Sequence, residues 1–422
     1  MAELGHDVVG VDVDARKVEL LSNGRAPFFE PGLEELLARN VEAGRLTFTQ
    51  DFSAIEGAQI HFIGVGTPQS ESGAADMTYV DAAVASMLPH LGRCTSGPEV
   101  VAGKSTVPVG TSSRLAQVIE PTGALLVWNP EFLREGFAVQ DTLHPDRMVY
   151  GLPADPGAAT RAQEAMDAAY EQILASGTPR LLMDYATAEL VKISANAFLA
   201  TKISFINAMS QVCDAAGANV TALAEAIGMD NRIGHRFLRA GIGFGGGCLP
   251  KDIRAFQARA NELGVGDALA FLADVDKVND TMRAGVIRTV RELLGDRLAE
   301  ATVTVLGAAF KPDSDDMRNS PALDLAVELA GLAGRVVVHD PAAGPILAER
   351  SNLPYEVAPS AQSALKDTDL VIIGTEWREY QDLDPTQVAD LARTRYMIDG
   401  RNCLDAQAWK AAGWSYRGIG RR

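Results

Sequence analysis

The chain opens on short apolar runs separated by amphipathic ones. "HDVVGVDVD" (6–14) reads as an apolar strand ending in acids. "PGLEELLARNVEAG" (31–44) is helix-like, with Pro31 near its start and Gly44 at its end. "AQIHFIGVGTP" (58–68) is a buried strand running into a Gly/Pro turn, and "PEVVAGKSTVP" (98–108) and "ALLVWNPEF" (124–132) are two more. Strands alternating with helical segments predict a parallel sheet with helices on both faces. From about 184 the pattern changes. "DYATAELVKISANAFLATKISFINAMSQVCDAAG" and "DALAFLADVDKVNDTMRAGVIRTVRELLG" are long amphipathic stretches without a strand signal. They predict a helical connector of the kind that forms dimer interfaces. From about 299 the alternation resumes with "ATVTVLGAAF", "GRVVVHDP" and "TDLVIIGTEW", and "SPALDLAVELAGLAG" carries Pro321 at a favoured early helical position. The prediction is an α/β protein with two Rossmann-like parallel-sheet domains, 1–183 and 299–422, joined by a central helical domain, 184–298.

Composition narrows the function. The 422 residues suit two or three domains, and 47% hydrophobic with 22% charged residues supports a sizeable core. A net charge of -17 argues against nucleic acid or an anionic membrane as partner. A small anionic substrate stays open, because a few local Arg or Lys suffice. The four cysteines, Cys94, Cys213, Cys248 and Cys403, lie far apart with no CxxC pair. No zinc or other metal site is expected, and the thin cysteine usage fits a reducing cytoplasm. "MAELGHDVVG" lacks a basic segment followed by a long apolar run, and no stretch has the ~18 apolar residues of a membrane helix.

Asp12 closes the first strand-like run. In a dinucleotide-binding unit, an acid at the end of the second strand binds the adenine ribose, and it follows a GxGxxG loop by about 20 residues. Only 11 residues precede Asp12, and none forms that loop. "MAELGHDVV" therefore reads as the end of a first helix plus a second strand. The expectation is a natural reading frame that starts earlier, with the first strand and its phosphate loop. Taken alone, Asp12 is an ordinary turn residue.

The densest candidate chemistry is "GIGFGGGCLPKD" (241–252), with five glycines in seven positions. Glycine lets backbone approach a ligand closely, and Gly245 to Gly247 deliver Cys248. Pro250, Lys251 and Asp252 can open a helix, whose N-terminus and neighbouring Lys favour thiolate. Asp252 could orient water or accept a proton. On composition alone, a linker with an inert thiol is the plainer reading, and the "CLPKD" continuation shifts the balance towards a site. In "AELVKISANAF", Lys192 and Asn196 share a helix face, and a lysine there is costly to bury unless it meets an anion. In "NPEFLREG", a turn of helix would set Glu131 and Glu135 on one side. "FKPDSDDMRNSP" follows a strand, where α/β sheets bind ligands, and Lys311 and Arg318 suit phosphate or carboxylate. Thr67 and Thr106 end strands in positions that face a cofactor.

Together, "NRIGHRFLRAGIGFGGGCLPKD", "NPEFLREG", "ELVKISANAF", "FKPDSDDMRNSP" and "FEPGLEELL" resemble the UDP-glucose/GDP-mannose dehydrogenase family over nearly the whole chain. The run "RIGHRFLRAGIGFGGGC" favours its UDP-glucose branch. The resemblance implies NAD as cofactor and four-electron oxidation of UDP-glucose to UDP-glucuronate through a Cys248 thiohemiacetal and thioester. Lys192 would stabilise the oxyanion and Asp252 position water, with Thr106 and Asn196 nearby and Glu135 as base in hydrolysis. Asp12, Lys17, Thr67, Thr106, Glu135, Lys251 and Arg318 match cofactor contacts. Phe132, Leu133, Arg134, Glu135, Lys192, Asn196, Phe237, Leu238, Arg239, Ala240, Gly241, Gly245 and Lys311 match substrate contacts. Arg232 matches a residue that reaches the substrate of a neighbouring subunit, so a homodimer through the central helices is implied. Two alternatives stand beside this. One is the GDP-mannose branch, and the other is a non-catalytic sugar-nucleotide-binding chain without a phosphate loop.

Overall fold

The apolar runs become the strands of two sheet systems in the computed structural model, which describes residues 1–421. The chain divides into two compact units, 1–195 with 254–266, and 196–253 with 267–422.

In the first unit, β1 (Val8–Val11) pairs in parallel with β2 (Leu46–Thr49), Val8 opposite Leu46, and α1 (Leu33–Glu42) lies between them in sequence. A separate five-stranded sheet follows the order β3 (Ile60–Ile63), β4 (Val100–Gly103), β5 (Leu125–Trp128), β6 (Met148–Leu152), β7 (Arg180–Asp184). The helix α2 (Thr111–Ile119) connects β4 to β5. Alternation along β4 explains how the sheet is filled on both sides. Val101 enters a cluster with Ile63, Leu115 and Leu126, while Val100 and Ala102 enter one with Val127, Met166 and Tyr170. Each such fully buried Val or Leu contributes roughly 1.5–3 kcal/mol.

Two features depart from a simple parallel sheet. β5 and β6 are antiparallel. Residues 129–147 hold only the six-residue helix Ala138–Leu143, too little for a parallel crossover, so the chain turns back. β1 and β3 are not bonded to each other, and no strand among the described residues lies between them. In the doubly wound order 3-2-1-4-5-6, that interval belongs to the central strand and its glycine-rich turn.

The second unit carries a six-stranded, wholly parallel sheet. Its strands are β8 (Thr302–Leu306), β9 (Arg335–His339), β10 (Glu356–Val357), β11 (Leu370–Ile373), β12 (Tyr396–Asp399) and β13 (Ser415–Gly418). The order β10-β9-β8-β11-β12-β13 is the complete doubly wound arrangement. β8 and β11 are buried throughout, as expected for strands covered on both faces. The order reverses between β8 and β11, and ligands bind in the crevice beyond the carboxyl ends of strands at such a switch point.

The predicted helical connector appears as α3 (Tyr185–Ala216), α4 (Leu249–Glu262) and α5 (Phe271–Leu294). Its residues are shared between the two compact units. α3 passes from the first unit to the second after Ala195, and α4 passes back after Ile253. α5 buries one stripe, Leu272, Val275, Asn279, Met282, Val286, Val290 and Leu294, at helical spacing. No helix of the described residues is long and apolar enough to cross a membrane.

Candidate active site

The glycine loop belongs to the second unit and is fastened along its length. Ile242 N donates to Gly400 O at 2.9 Å, and Gly246 N to Arg318 O at 2.8 Å. Asn279 closes a two-way amide pair with Phe244: its Oδ1 accepts from Phe244 N at 2.7 Å, and its Nδ2 donates to Phe244 O at 3.0 Å. The Arg401 guanidinium donates to Gly243 O and to Gly374 O, both at 2.7 Å. Burial pulls that guanidinium below its ordinary pKa, and Glu376 opposes the shift. Gly374 follows β11, so Arg401 ties the loop to the switch-point end of the sheet. Gly245 has its own reason to be glycine. A Cβ there would lie 2.1 Å from Asn319 O.

The loop delivers Cys248, exposed, to the residue before α4. Asp252 N donates to Cys248 O at 2.9 Å, the first helical turn. Asp252 itself is buried, and both its oxygens are engaged. Oδ1 accepts from Lys251 Nζ and Oδ2 from Asn196 Nδ2, each at 2.6 Å. Asn196, Lys251, Asp252 and Cys248 are thus gathered in one unit, the first three joined by short bonds to the Asp252 carboxylate and Cys248 by the backbone bond of the first turn. Lys311 stands in the loop after β8, its Nζ 5.2 Å from the centroid of the Phe310 ring. Arg318 forks onto Asp316 at 2.6 and 2.9 Å. In 237–241, Phe237 takes a left-handed φ of 65°, Leu238 and Ala240 are buried, Arg239 is exposed, and Gly241 N donates to Asn207 Oδ1 at 2.9 Å. Arg232 is exposed and forks onto Asp230.

In the first unit most candidates sit in loops beyond the carboxyl ends of β1, β3, β4 and β5, while Lys17 lies on the helix Ala15–Ser22 and Lys192 on α3. Asp12 accepts from Asp14 N at 2.9 Å, with Lys17 Nζ 3.6 Å from its other oxygen. Thr67 Oγ1 donates to Thr106 O at 2.8 Å, joining two of the strand-end loops. α3 braces two further segments. Its Glu189 carboxylate accepts from Gly110 N at 2.7 Å and from Ser112 N and Oγ at 2.6 Å, so it caps α2. Burial raises that carboxyl above the usual range. Nearly one turn further on, Lys192 is buried and its Nζ meets Glu131 Oε1 at 3.3 Å. Arg147 lies 3.9 Å from the centroid of the Phe132 ring, and Lys192 Nζ 5.6 Å from it.

The segment 129–136 is a loop, not the helical turn expected to align Glu131 with Glu135. Pro130 lacks a donor, Gly136 takes φ 76°, and Glu131 Oε2 accepts from Leu133 N at 2.5 Å, a local turn that competes with helix. Arg134 forks onto Asp141, Leu133 is exposed, and Glu135 lies in the same loop. Glu30 fastens the far end, accepting from Gly136 N and Ala138 N, both at 2.7 Å.

The predicted residues therefore form two groups. Asp12, Lys17, Thr67, Thr106, Phe132 to Glu135 and Lys192 belong to the first unit, and the remainder to the second. Sequence reasoning missed Asn279, Arg401, Glu189 and Glu30. Asn279 had a signal, as a polar residue on the apolar stripe of a helix; the other three act through partners distant in sequence. The donor set of the first unit suits a dinucleotide. An acid ends β1, and threonines follow β3 and β4 at the edge where such sheets bind nucleotides. A glycine-rich phosphate turn has no counterpart among the described residues.

Residues 1–174 match the model of the UDP-glucose/GDP-mannose dehydrogenase family NAD binding domain, 186–281 the central domain and 304–406 the UDP binding domain. The UDP-glucose 6-dehydrogenase TuaD of Bacillus subtilis is 39% identical, over 100% of this chain and 89% of its own length. The UDP-glucose 6-dehydrogenase of Rhizobium meliloti is 38% identical, over 100% and 95%. Among solved structures, the UDP-glucose dehydrogenase of Pyrobaculum islandicum superposes with a TM-score of 0.88 at 36% identity, covering 100% of this chain and 94% of that one.

Proposed function

We propose, from the premise that the chain belongs to the UDP-glucose/GDP-mannose dehydrogenase family, that it oxidises UDP-glucose to UDP-glucuronate with Cys248 as nucleophile. The observation that carries this is an exposed thiol on a pinned glycine loop, beside a buried Asn196–Asp252–Lys251 network. The UDP-glucose branch is favoured over the GDP-mannose one by sequence likeness. The UDP-glucose 6-dehydrogenases of Bacillus subtilis and Rhizobium meliloti are 39% and 38% identical to this chain, against 26% for the GDP-mannose dehydrogenase of Pseudomonas aeruginosa.

Asp12, Lys17, Thr67, Thr106, Glu135, Lys251 and Arg318 would hold NAD, which when bound would supply the hydride acceptor for two successive oxidations at the sugar C6. Between them, the Cys248 sulfur adds to the C6 aldehyde, giving a thiohemiacetal. Oxidation of that adduct leaves a thioester, which water cleaves to a carboxylate and free thiol. Two hydrides leave carbon in all, and the protons go to solvent. A thiolate suits both steps because it adds to a carbonyl and later leaves. Lys192 is the group for the oxyanion, where a fixed cation is worth most in a water-poor site. Of the two loop carboxylates, Glu131 lies 3.3 Å from Lys192, the group proposed for the oxyanion, and this proximity makes it, in place of Glu135, the base for the hydrolytic water. Asp252 orients Asn196 and Lys251. The sugar nucleotide is taken by Phe132 to Glu135, Asn196, Phe237 to Gly241, Gly245 and Lys311, with the uridine diphosphate at the β8/β11 switch point. The same reading places the chain in the cytoplasm, together with the charged nucleotides it would use.

Incubation with UDP-glucose and NAD should yield two NADH per sugar oxidised, read at 340 nm against product carboxylate. One NADH with free aldehyde accumulating would overturn the thioester route.

The same reading includes a homodimer through α3. Phe198, Phe205 and Val212 are exposed at 67, 50 and 56% and recur every seven residues along this helix. That spacing forms one apolar seam suited to a second copy of the helix. Arg232, exposed in its own loop, is then available to a neighbouring subunit. Light scattering should report about twice the 44.8 kDa chain mass, and Phe205→Glu should shift it towards one chain. A single-chain mass for the unaltered protein would sink the dimer.

A further inference from the structure

Lys104 is the one basic side chain of "PEVVAGKSTVP", and the chemistry above makes no use of it. It follows β4 directly and is half-buried beside two aromatic rings, its Nζ 5.9 Å from the centroid of Phe62 and 5.8 Å from that of Tyr170. Burial pushes its ammonium down to about 8. A lysine this far desolvated is costly to keep, and an apolar residue of similar length would fill the space without that cost.

The geometry shows where its donors go. Lys104 Nζ donates to Asn129 Oδ1 at 3.0 Å and to Tyr170 OH at 3.3 Å. Tyr170 OH in turn donates to Asn129 Oδ1 at 2.9 Å. Asn129 Nδ2 donates to Val149 O at 2.9 Å, and its backbone N to Gly103 O at 2.8 Å. The buried Asn129 amide can therefore sit only one way round, with two donors on its oxygen and a carbonyl on its nitrogen. Asn129 is also the first residue of the loop that bears Glu131. Between them lies Pro130, whose ring fixes φ, so an anchored Asn129 transmits its position with little slack. Glu131 then meets Lys192, and its charge also acts on Lys104.

We propose that Lys104 is a positioning residue for hydrolysis: with Tyr170 it locks the Asn129 side chain and thereby holds Glu131 against Lys192. This rests on the assignment of Glu131 as the hydrolytic base. Lys104 touches no reacting atom and acts wholly through Asn129.

The test uses the full chain and two variants, Lys104→Met and the milder Tyr170→Phe, which keeps its ring and loses one donor to Asn129. In hydrogen exchange, amides of 131–138 should exchange about tenfold faster in Lys104→Met while those of β6 keep their protection. Tyr170→Phe should move the same amides less. In rapid-mixing kinetics, the first NADH per site should form at the unaltered rate, and the later turnover set by thioester hydrolysis should slow by about tenfold or more. Unchanged exchange across the loop in both variants would overturn the proposal, as would equal slowing of both phases, the mark of a general structural lesion. Should the unaltered chain form no NADH from UDP-glucose, the functional reading fails. The exchange measurement still decides whether Lys104 holds the loop.

Discussion

Cys248→Ser is expected to release NADH from the first oxidation and then stall. The serine hydroxyl is far less acidic than a thiol and is a poorer leaving group, so neither adduct formation nor release is supported. The second half should slow by about 10³-fold or more, in line with removal of other catalytic nucleophiles. Quenched-flow counting of NADH per site, with mass spectrometry for aldehyde or a trapped ester, separates the halves. Full turnover in the serine variant would remove Cys248 from the mechanism. The fold should be untouched, because Cys248 is exposed and its neighbours are fastened independently through Asp252 and Arg318.

Gly245→Ala should damage both stability and turnover, for a reason that involves no ligand. The new Cβ would lie 2.1 Å from Asn319 O and 2.9 Å from Pro321 Cδ, against the start of α6 (Pro321–Ala330). Backbone and a proline ring cannot swing aside, so the glycine loop itself must move. Overpacking of this kind costs about 1–3 kcal/mol, a fall of a few degrees in Tm. Cys248 is three residues on, and a displacement of about 1 Å at a reacting group can cost on the order of 10²-fold in rate. Gly247→Ala is the control. Its Cβ would meet the tip of Arg318, 2.3 Å from Cζ, which is the end of a flexible side chain. It should therefore lose less stability than Gly245→Ala. Thermal unfolding and kcat measured on both variants check this. An equal Tm loss in the two would refute the steric account, and unaltered turnover in Gly245→Ala would dissociate the loop from catalysis.

These two residues show how unevenly the site was legible. Cys248 announced itself, because a thiol rarely closes a run of glycines. Gly245 was read as letting backbone approach a ligand, and its second reason to be glycine, the close approach of Asn319 O, was not visible. The difference lies in sequence separation. Residues 245 and 319 come together only when β8 and its following loop fold against the glycine loop, and no local pattern encodes that approach. Glu131 and Glu135 mark the opposite failure. Their spacing suggested one face of a helical turn, and Pro130, Gly136 and the Glu131–Leu133 bond make a loop instead.

The sequence by itself determined the strand and helix pattern, the two parallel-sheet systems and the residue types that could carry the chemistry. These are consequences of period, turn residues and side-chain reactivity, all local. Tertiary structure alone decided the reversed β5/β6 pair, the division of the helical connector between two compact units, and the partners of each reactive group. Asp252 finds Asn196 across 56 residues, Lys192 finds Glu131, and Lys104 finds Asn129 and Tyr170. Such pairings depend on which elements are brought side by side when the sheets and helices bury their apolar faces. A buried polar group must then be satisfied by whatever donor or acceptor that packing supplies.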